Sequence, residues 1–237
     1  MTAQTAKPVC VVVGVGPGNG AAFARRFAAA GYRVAMLART LQATQELAAE
    51  LADARAYVCD VTDAASVDRA FGAIRAELGE VAVLIFNPGA GVWGNVEDIT
   101  PADFEASWKT NALGGLLAAR QVIPAMKQQR RGSIVFIGAT ASRRGGAKTA
   151  AFAPAKAAQK SLAESMARHL WPTGIHVALV LVDGVVDNPA TRKRMPDKPE
   201  SFFVAPAAVA DQVFQITQQP ASAWVFELEV RPFAEVW

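Results

Sequence analysis

Runs of Val, Ile and Leu too short to be helices alternate with longer stretches of helical periodicity along the whole chain. The pattern predicts strands at residues 9–13, 33–37, 56–59, 81–86, 134–137, 175–182 and 223–228. Helices are predicted at residues 21–30, 41–51, 64–78, 101–127, 148–170 and 206–218. The strands are nearly continuous in apolar residues, as strands buried on both faces are; with helices between them, that means a parallel sheet covered on both sides. Asp63 is placed to cap the helix at 64–78. Thr100, with Pro101 next and Asp103 in the first turn, is placed to start the one at 101–127. No linker, repeat or low-complexity tract breaks the series, so residues 1–237 read as a single α/β domain with a doubly wound, seven-stranded parallel sheet.

Composition narrows the function. With 52% hydrophobic and 19% charged residues, the 237-residue chain can bury a sizeable core and is not disordered. A net charge of +3 without a long basic run gives no footing for nucleic acid or a polybasic membrane contact. The densest basic cluster, Arg192, Lys193, Arg194 and Lys198, reads as a solvated, mobile loop. Cys10 and Cys59 sit in apolar, strand-like runs and read as buried thiols of a reducing compartment; with two histidines, no metal centre is expected. Residues 1–13 do not read as a signal peptide, and no stretch reaches transmembrane length. The expectation is a cytoplasmic protein.

Gly14-Val15-Gly16-Pro17-Gly18-Asn19-Gly20 joins the first strand to the first helix. Glycines here permit positive φ and let a pyrophosphate approach the backbone at a helix N-terminus, whose unpaired N–H groups favour anions. A glycine cluster alone says little; between a strand and a helix at the start of an α/β chain it points to a dinucleotide.

The spacing Gly14, Gly18, Gly20 resembles the Gly-x-x-x-Gly-x-Gly turn of the short-chain dehydrogenase/reductase family, and the resemblance spans nearly the whole chain. It implies a Rossmann fold that binds NAD or NADP and reduces or oxidises a small-molecule substrate. By that resemblance Asp60, with Val61 beside it, contacts the adenine, and Asn87-Pro88-Gly89 is an altered form of the family's Asn-Asn-Ala-Gly segment. Asn111 falls at the family's active-site asparagine and Lys156 at its catalytic, ribose-binding lysine. Asp183-Gly184 replaces the usual Pro-Gly, and Asn188 stands where a threonine often binds the nicotinamide carboxamide. The nucleotide-binding set is thus Gly14, Gly18, Asn19, Gly20, Arg39, Asp60, Val61, Asn87, Gly89, Lys156, Gly184 and Asn188. At the end of the second strand, Met36-Leu37-Ala38-Arg39-Thr40 offers an arginine and no carboxylate. Its planar fork suits a 2′-phosphate, so NADP is favoured over NAD.

The catalytic positions depart from the pattern. The family's tyrosine, four residues before the lysine, protonates a carbonyl; its serine, thirteen residues earlier, holds the substrate oxygen. Phe152 and Ala139 stand at those two places. Tyr32 and Tyr57 are too far away in the expected fold to substitute. His169 and His176 lie at the wrong sheet edge and read as structural. Thr140, Ser142, Asp183 and Asp187 lie at the carboxyl ends of strands, where this architecture binds ligands. A desolvated Asp183 is a candidate to hold a proton, though turns also favour Asp for local hydrogen bonds. Two readings follow: an NADPH-linked oxidoreductase with atypical proton delivery to a small carbonyl, enone or imine, or a catalytically impaired NADP-binding sensor or silent subunit of a mixed oligomer. Residues 188–204 fall where the family has its substrate-covering loop, and Phe202 and Phe203 there suit either a substrate pocket or core packing. The resemblance also implies a homodimer or homotetramer built on the two long helices. Phe233 and Trp237 near the C-terminus suggest subunit packing.

Overall fold

The computed structural model describes residues 7–89 and 91–235. Seven parallel strands form the sheet: β1 (Val9–Val13), β2 (Arg33–Ala38), β3 (Ala54–Val58), β4 (Val81–Phe86), β5 (Gly132–Ala139), β6 (Ile175–Val182) and, last in the chain, β9 (Glu227–Val230). Between the last two lies a separate pair of two-residue strands, β7 (Val185–Val186) and β8 (Phe203–Val204). The order across the sheet is β3-β2-β1-β4-β5-β6-β9. Chain direction across the sheet therefore reverses between β1 and β4, and ligands of such sheets bind in the crevice outside the carboxyl ends at that point.

The helices are α1 (Asn19–Ala29), α2 (Gln42–Glu50), α3 (Ala64–Leu78), α4 (Pro101–Trp108), α5 (Gly114–Gln129), α6 (Phe152–Leu170), α7 (Pro189–Arg194) and α8 (Pro206–Thr217). Alternate residues of each strand face opposite layers. Val11 and Val13 pack under Phe71, Ala118 and Ala163 of α3, α5 and α6. Cys10 and Val12 pack under Phe23, Phe27 and Val213 of α1 and α8. Each fully buried aliphatic or phenyl side chain contributes about 1.5–3 kcal/mol, so β1, buried along its whole length, anchors both layers. The caps work as expected. Asp63 accepts from the Ala65 N–H, and Thr100 and Asp103 form a reciprocal capping box.

Several features differ from the sequence pattern. The helix expected at 101–127 is continuous but widens into one π-helical turn at Lys109–Leu113, around Asn111. The helix expected from residue 148 starts at Phe152, because Thr149 is spent on a bridge to Gly94 and on turn bonds to Gly146. The last strand is shifted from 223–228 to Glu227–Val230. Gln219 holds Trp224 and Val225 through the Trp224 Nε1–H and the Val225 N–H, and Trp224 stacks on His176 with centroids 4.8 Å apart. Nor are all the basic residues near 192 solvated. The Arg192 fork donates to both oxygens of Asp187, at 2.6 and 2.8 Å, and lies over the Phe203 ring. Phe203 is buried. Phe233 is 91% exposed, and Trp237 lies outside the described residues. Among the described residues no helix is long and apolar enough to cross a membrane.

Candidate active site

The glycine turn sits at the reversal point. Gly14 has φ +79°, and its N–H and that of Val15 both donate to the Leu37 carbonyl of β2. A Cβ on Gly20 would stand 2.7 Å from the Val15 Cα, so only glycine lets α1 approach the strand end this closely. Gly16 and Gly18 face open space or side chains no nearer than 3.6 Å. The α1 N-terminus has no side-chain cap; the Ala21 N–H is spent on the Gly16 carbonyl, and the Asn19 and Gly20 amides before it are left to meet an anion. Asn19 is buried there with Oδ1 lacking a partner among the described residues; turned over, the same amide presents its donor instead. Asn87 ties β4 to this turn, its Nδ2 donating to the Gly14 carbonyl at 2.8 Å.

From the turn a cleft of about 540 Å³ runs over the ends of β1, β2 and β4, lined by Gly14, Gly16, Arg39, Asp60, Val61 and Asn87. Asp60 accepts from the Thr62 N–H and hydroxyl; these bonds, with the nearby Arg39 charge, hold its carboxyl below the usual carboxylate range. Arg39 is exposed at the rim. Lys109 and Thr110 of the π turn line the same cleft, and nothing in their local sequence marks them out. Asn188 lies over the turn, its Cβ 3.6 Å from where a Cβ of Gly18 would be. Its amide, however, is spent within α7: Oδ1 accepts from the Ala190 and Thr191 N–H groups and Nδ2 donates to the Val186 carbonyl. Binding a carboxamide would require breaking these bonds. Gly184 is crowded by Pro232 and Val204, either of which a Cβ would meet at 2.8 Å. A larger groove of about 760 Å³ lies on the other side of the turn, between α1, α2 and α8. Its arginines are paired, Arg25 with Glu50 and Arg26 with Asp211, and it lies away from Lys156.

Beyond the cleft, Lys156 rises from the first turns of α6 and is 2% exposed. Its Nζ donates to the Ile137 carbonyl at 2.9 Å, the Pro88 carbonyl at 3.0 Å and Gln159 Oε1 at 3.2 Å. All three acceptors are neutral, and burial pushes its pKa down to about 7. Gly89 lies against it, a Cβ there being 4.0 Å from Nζ. Asn111 is fully buried in the π turn, where its Nδ2 donates to the Ser107 carbonyl at 2.8 Å. One-turn π bulges recur at functional sites.

Phe152 and Ala139 meet in one small apolar cluster with Ala141 and Ala153. The Phe152 ring is 8% exposed and stacks on Trp93, centroids 5.2 Å apart and planes 30° apart. Trp93 was not foreseen; it follows the glycines of the β4 loop, and Gly91 has no room for a Cβ beside Phe152. Ser142, also buried, turns its Oγ to the Ala139 N–H. The Thr140 hydroxyl donates to Asp183 Oδ1, and Arg231 holds Asp183 Oδ2 at 2.7 Å. Both Asp183 oxygens are thus engaged by protein donors. His169 and His176 lie at the opposite sheet edge from Lys156, His169 beside Lys127 and His176 against Trp171 and Trp224.

A parallel sheet with an uncapped, glycine-lined helix start at its reversal point, and a buried lysine beyond it, defines a nicotinamide-dinucleotide-binding oxidoreductase fold. The short chain dehydrogenase family model matches residues 8–199, and the chain belongs to that family. Over 220 residues it is 31% identical to the 3-oxoacyl-(acyl-carrier-protein) reductase MabA of Mycobacterium bovis, covering 90% of this chain and 86% of that protein. It resembles the crystal structure of a short-chain dehydrogenase from Rhodopseudomonas palustris, with TM-score 0.82 and 35% identity over 95% of this chain and 99% of that one. It also resembles a metagenomic short-chain oxidoreductase in complex with NADP, with TM-score 0.84 and 27% identity over 97% of this chain and 99% of that one.

Proposed function

We propose that the chain is an NADPH-linked reductase of a small carbonyl, enone or imine that works without the family's phenol. The observation that supports this best is Lys156: buried beside the nucleotide cleft and fully hydrogen-bonded, while the neighbouring cluster of Phe152 and Ala139 offers no hydroxyl. NADP fits the residues present: an open turn at Gly16 and Gly18, uncapped α1 amides, Asn19, Asp60, and Arg39 at the rim for a 2′-phosphate. When bound, the nicotinamide supplies the hydride. Lys156 fixes the ribose end of the site, and its Nζ, titrating near neutral pH, is the proton source once one of its three hydrogen bonds is given up to the substrate. Phe152, buried and stacked on the exposed Trp93, makes this end of the site apolar and favours a conjugated acceptor over a simple ketone. Residues 188–204 cover the substrate, and Phe104 and Trp108, exposed on α4, supply an apolar face for a homodimer or homotetramer. A sedimentation mass of one chain would contradict the oligomer.

The test is stopped-flow oxidation of NADPH against a panel of ketones, enones and imines. Turnover of enones or imines at rates well above those of ketones supports the reading. Nucleotide binding with no turnover on any member of the panel would sink it and leave the sensor or silent-subunit reading in its place.

A further inference from the structure

Gln159 follows Lys156 by three residues on α6, so the two share a helix face. It is fully buried, at 0% exposure. A buried amide costs free energy unless both its ends are hydrogen-bonded, and an apolar side chain would pack there without that demand. Both ends are used. Oε1 accepts from Lys156 Nζ and Nε2 donates to the Asn111 backbone carbonyl, each at 3.2 Å. The orientation of the amide follows from its partners. A backbone carbonyl only accepts, so the NH₂ must face Asn111 and the oxygen must face Lys156. Gln159 therefore presents an acceptor to the lysine in every protonation state.

We propose that Gln159 positions Lys156, binding its amino group to the π turn that carries Asn111 and favouring the ammonium over the neutral amine. The inference rests on reading Lys156 as a residue of the site, but not on what the site reduces. Several charged groups on the surrounding elements pair with one another. Lys109 of the π turn pairs with Glu105 at 2.8 Å, and Arg143, after β5, with Glu227 and Glu229. Lys160 of α6 pairs with Glu227 at 2.5 Å, and Asp183, after β6, with Arg231. Among the described residues, Nζ donates to two backbone carbonyls and to this amide oxygen.

The full-length chain labelled with ¹³Cε-lysine, titrated by NMR, reads Lys156 directly, its signal assigned by its absence in Lys156→Met. Gln159→Met keeps the shape and removes both hydrogen bonds. The Lys156 midpoint is expected to fall by about one pH unit or more, because a hydrogen bond to the charged form is lost. Gln159→Glu, which places a carboxylate beside the ammonium, is expected to raise the midpoint by a similar amount and serves if the Met variant does not fold. A midpoint that stays put in either folded variant would show that Gln159 merely fills space, and would overturn the proposal. The titration needs no nucleotide. A chain that fails to bind NADPH would count against the proposed function, and not against this contact.

Discussion

Phe152→Tyr combined with Ala139→Ser is expected to raise kcat/KM for ketone reduction by about 10²–10⁴-fold, the contribution of a positioned general acid. At the upper end that is about 5 kcal/mol of barrier. The structure places the two side chains in one cluster, so the new hydroxyls would be neighbours. Lys156, four residues along α6, stands on the same helix face as position 152. The single change Phe152→Tyr is expected to give a smaller part of the gain, since nothing at Ala139 would then hold the substrate oxygen. Each hydroxyl costs about 1–3 kcal/mol if it finds no partner in the apolar cluster. A melting curve must therefore accompany the kinetics. A folded double variant with no gain on any ketone would show that Phe152 and Ala139 do not line the reacting centre.

Lys156→Met is expected to lower NADPH-dependent turnover by about 10²-fold or more and to abolish a break in the pH profile near 7. The break follows from burial, which brings this lysine from its ordinary value of 10.5 to about 7. Below pH 7 the ammonium has three N–H groups for three acceptors, Pro88, Ile137 and Gln159. Above it the amine has two, so one acceptor is left unmatched and the proton is no longer there to give. Turnover should therefore fall as the pH rises through about 7. An ordinary exposed lysine would give no such break below pH 10. Stability moves the opposite way. Between about 7 and 10.5 the unfolded chain binds more protons at this residue than the folded one, so Lys156 makes stability rise with pH across that window. In Lys156→Met that slope should flatten. A profile with no break near 7 in the parent chain would contradict the role given to Lys156.

The sheet was legible because its strands carry their burial in their composition. β1 and β6 are apolar throughout, and their bounds match the sequence pattern to the residue. The glycine turn was legible for the same kind of reason, since Gly14 and Gly20 answer local backbone demands of φ and close approach. Asn111 and Lys156 were placed through family spacing, and the π turn around Asn111 has no local signal of its own. What escaped depends on contacts distant in sequence. Trp93 meets Phe152 across the β4 loop, and Arg231 reaches Asp183 from the far end of the chain. Gln159 carried a faint mark, a polar residue three positions from a lysine on a face that should be apolar. The late start of α6 escaped likewise: helical periodicity from residue 148 could not show that Thr149 bridges to Gly94.

This chain is expected to hold a nicotinamide dinucleotide in the cleft beside Arg39 and Lys156, and fluorescence titration with NADPH and NADH reads that binding. Saturable binding of NADPH, tighter than NADH by about tenfold or more and losing that preference in Arg39→Ala, is the predicted result, the arginine contributing a charge-assisted pair to the 2′-phosphate. Binding of neither nucleotide to the folded chain would overturn that expectation.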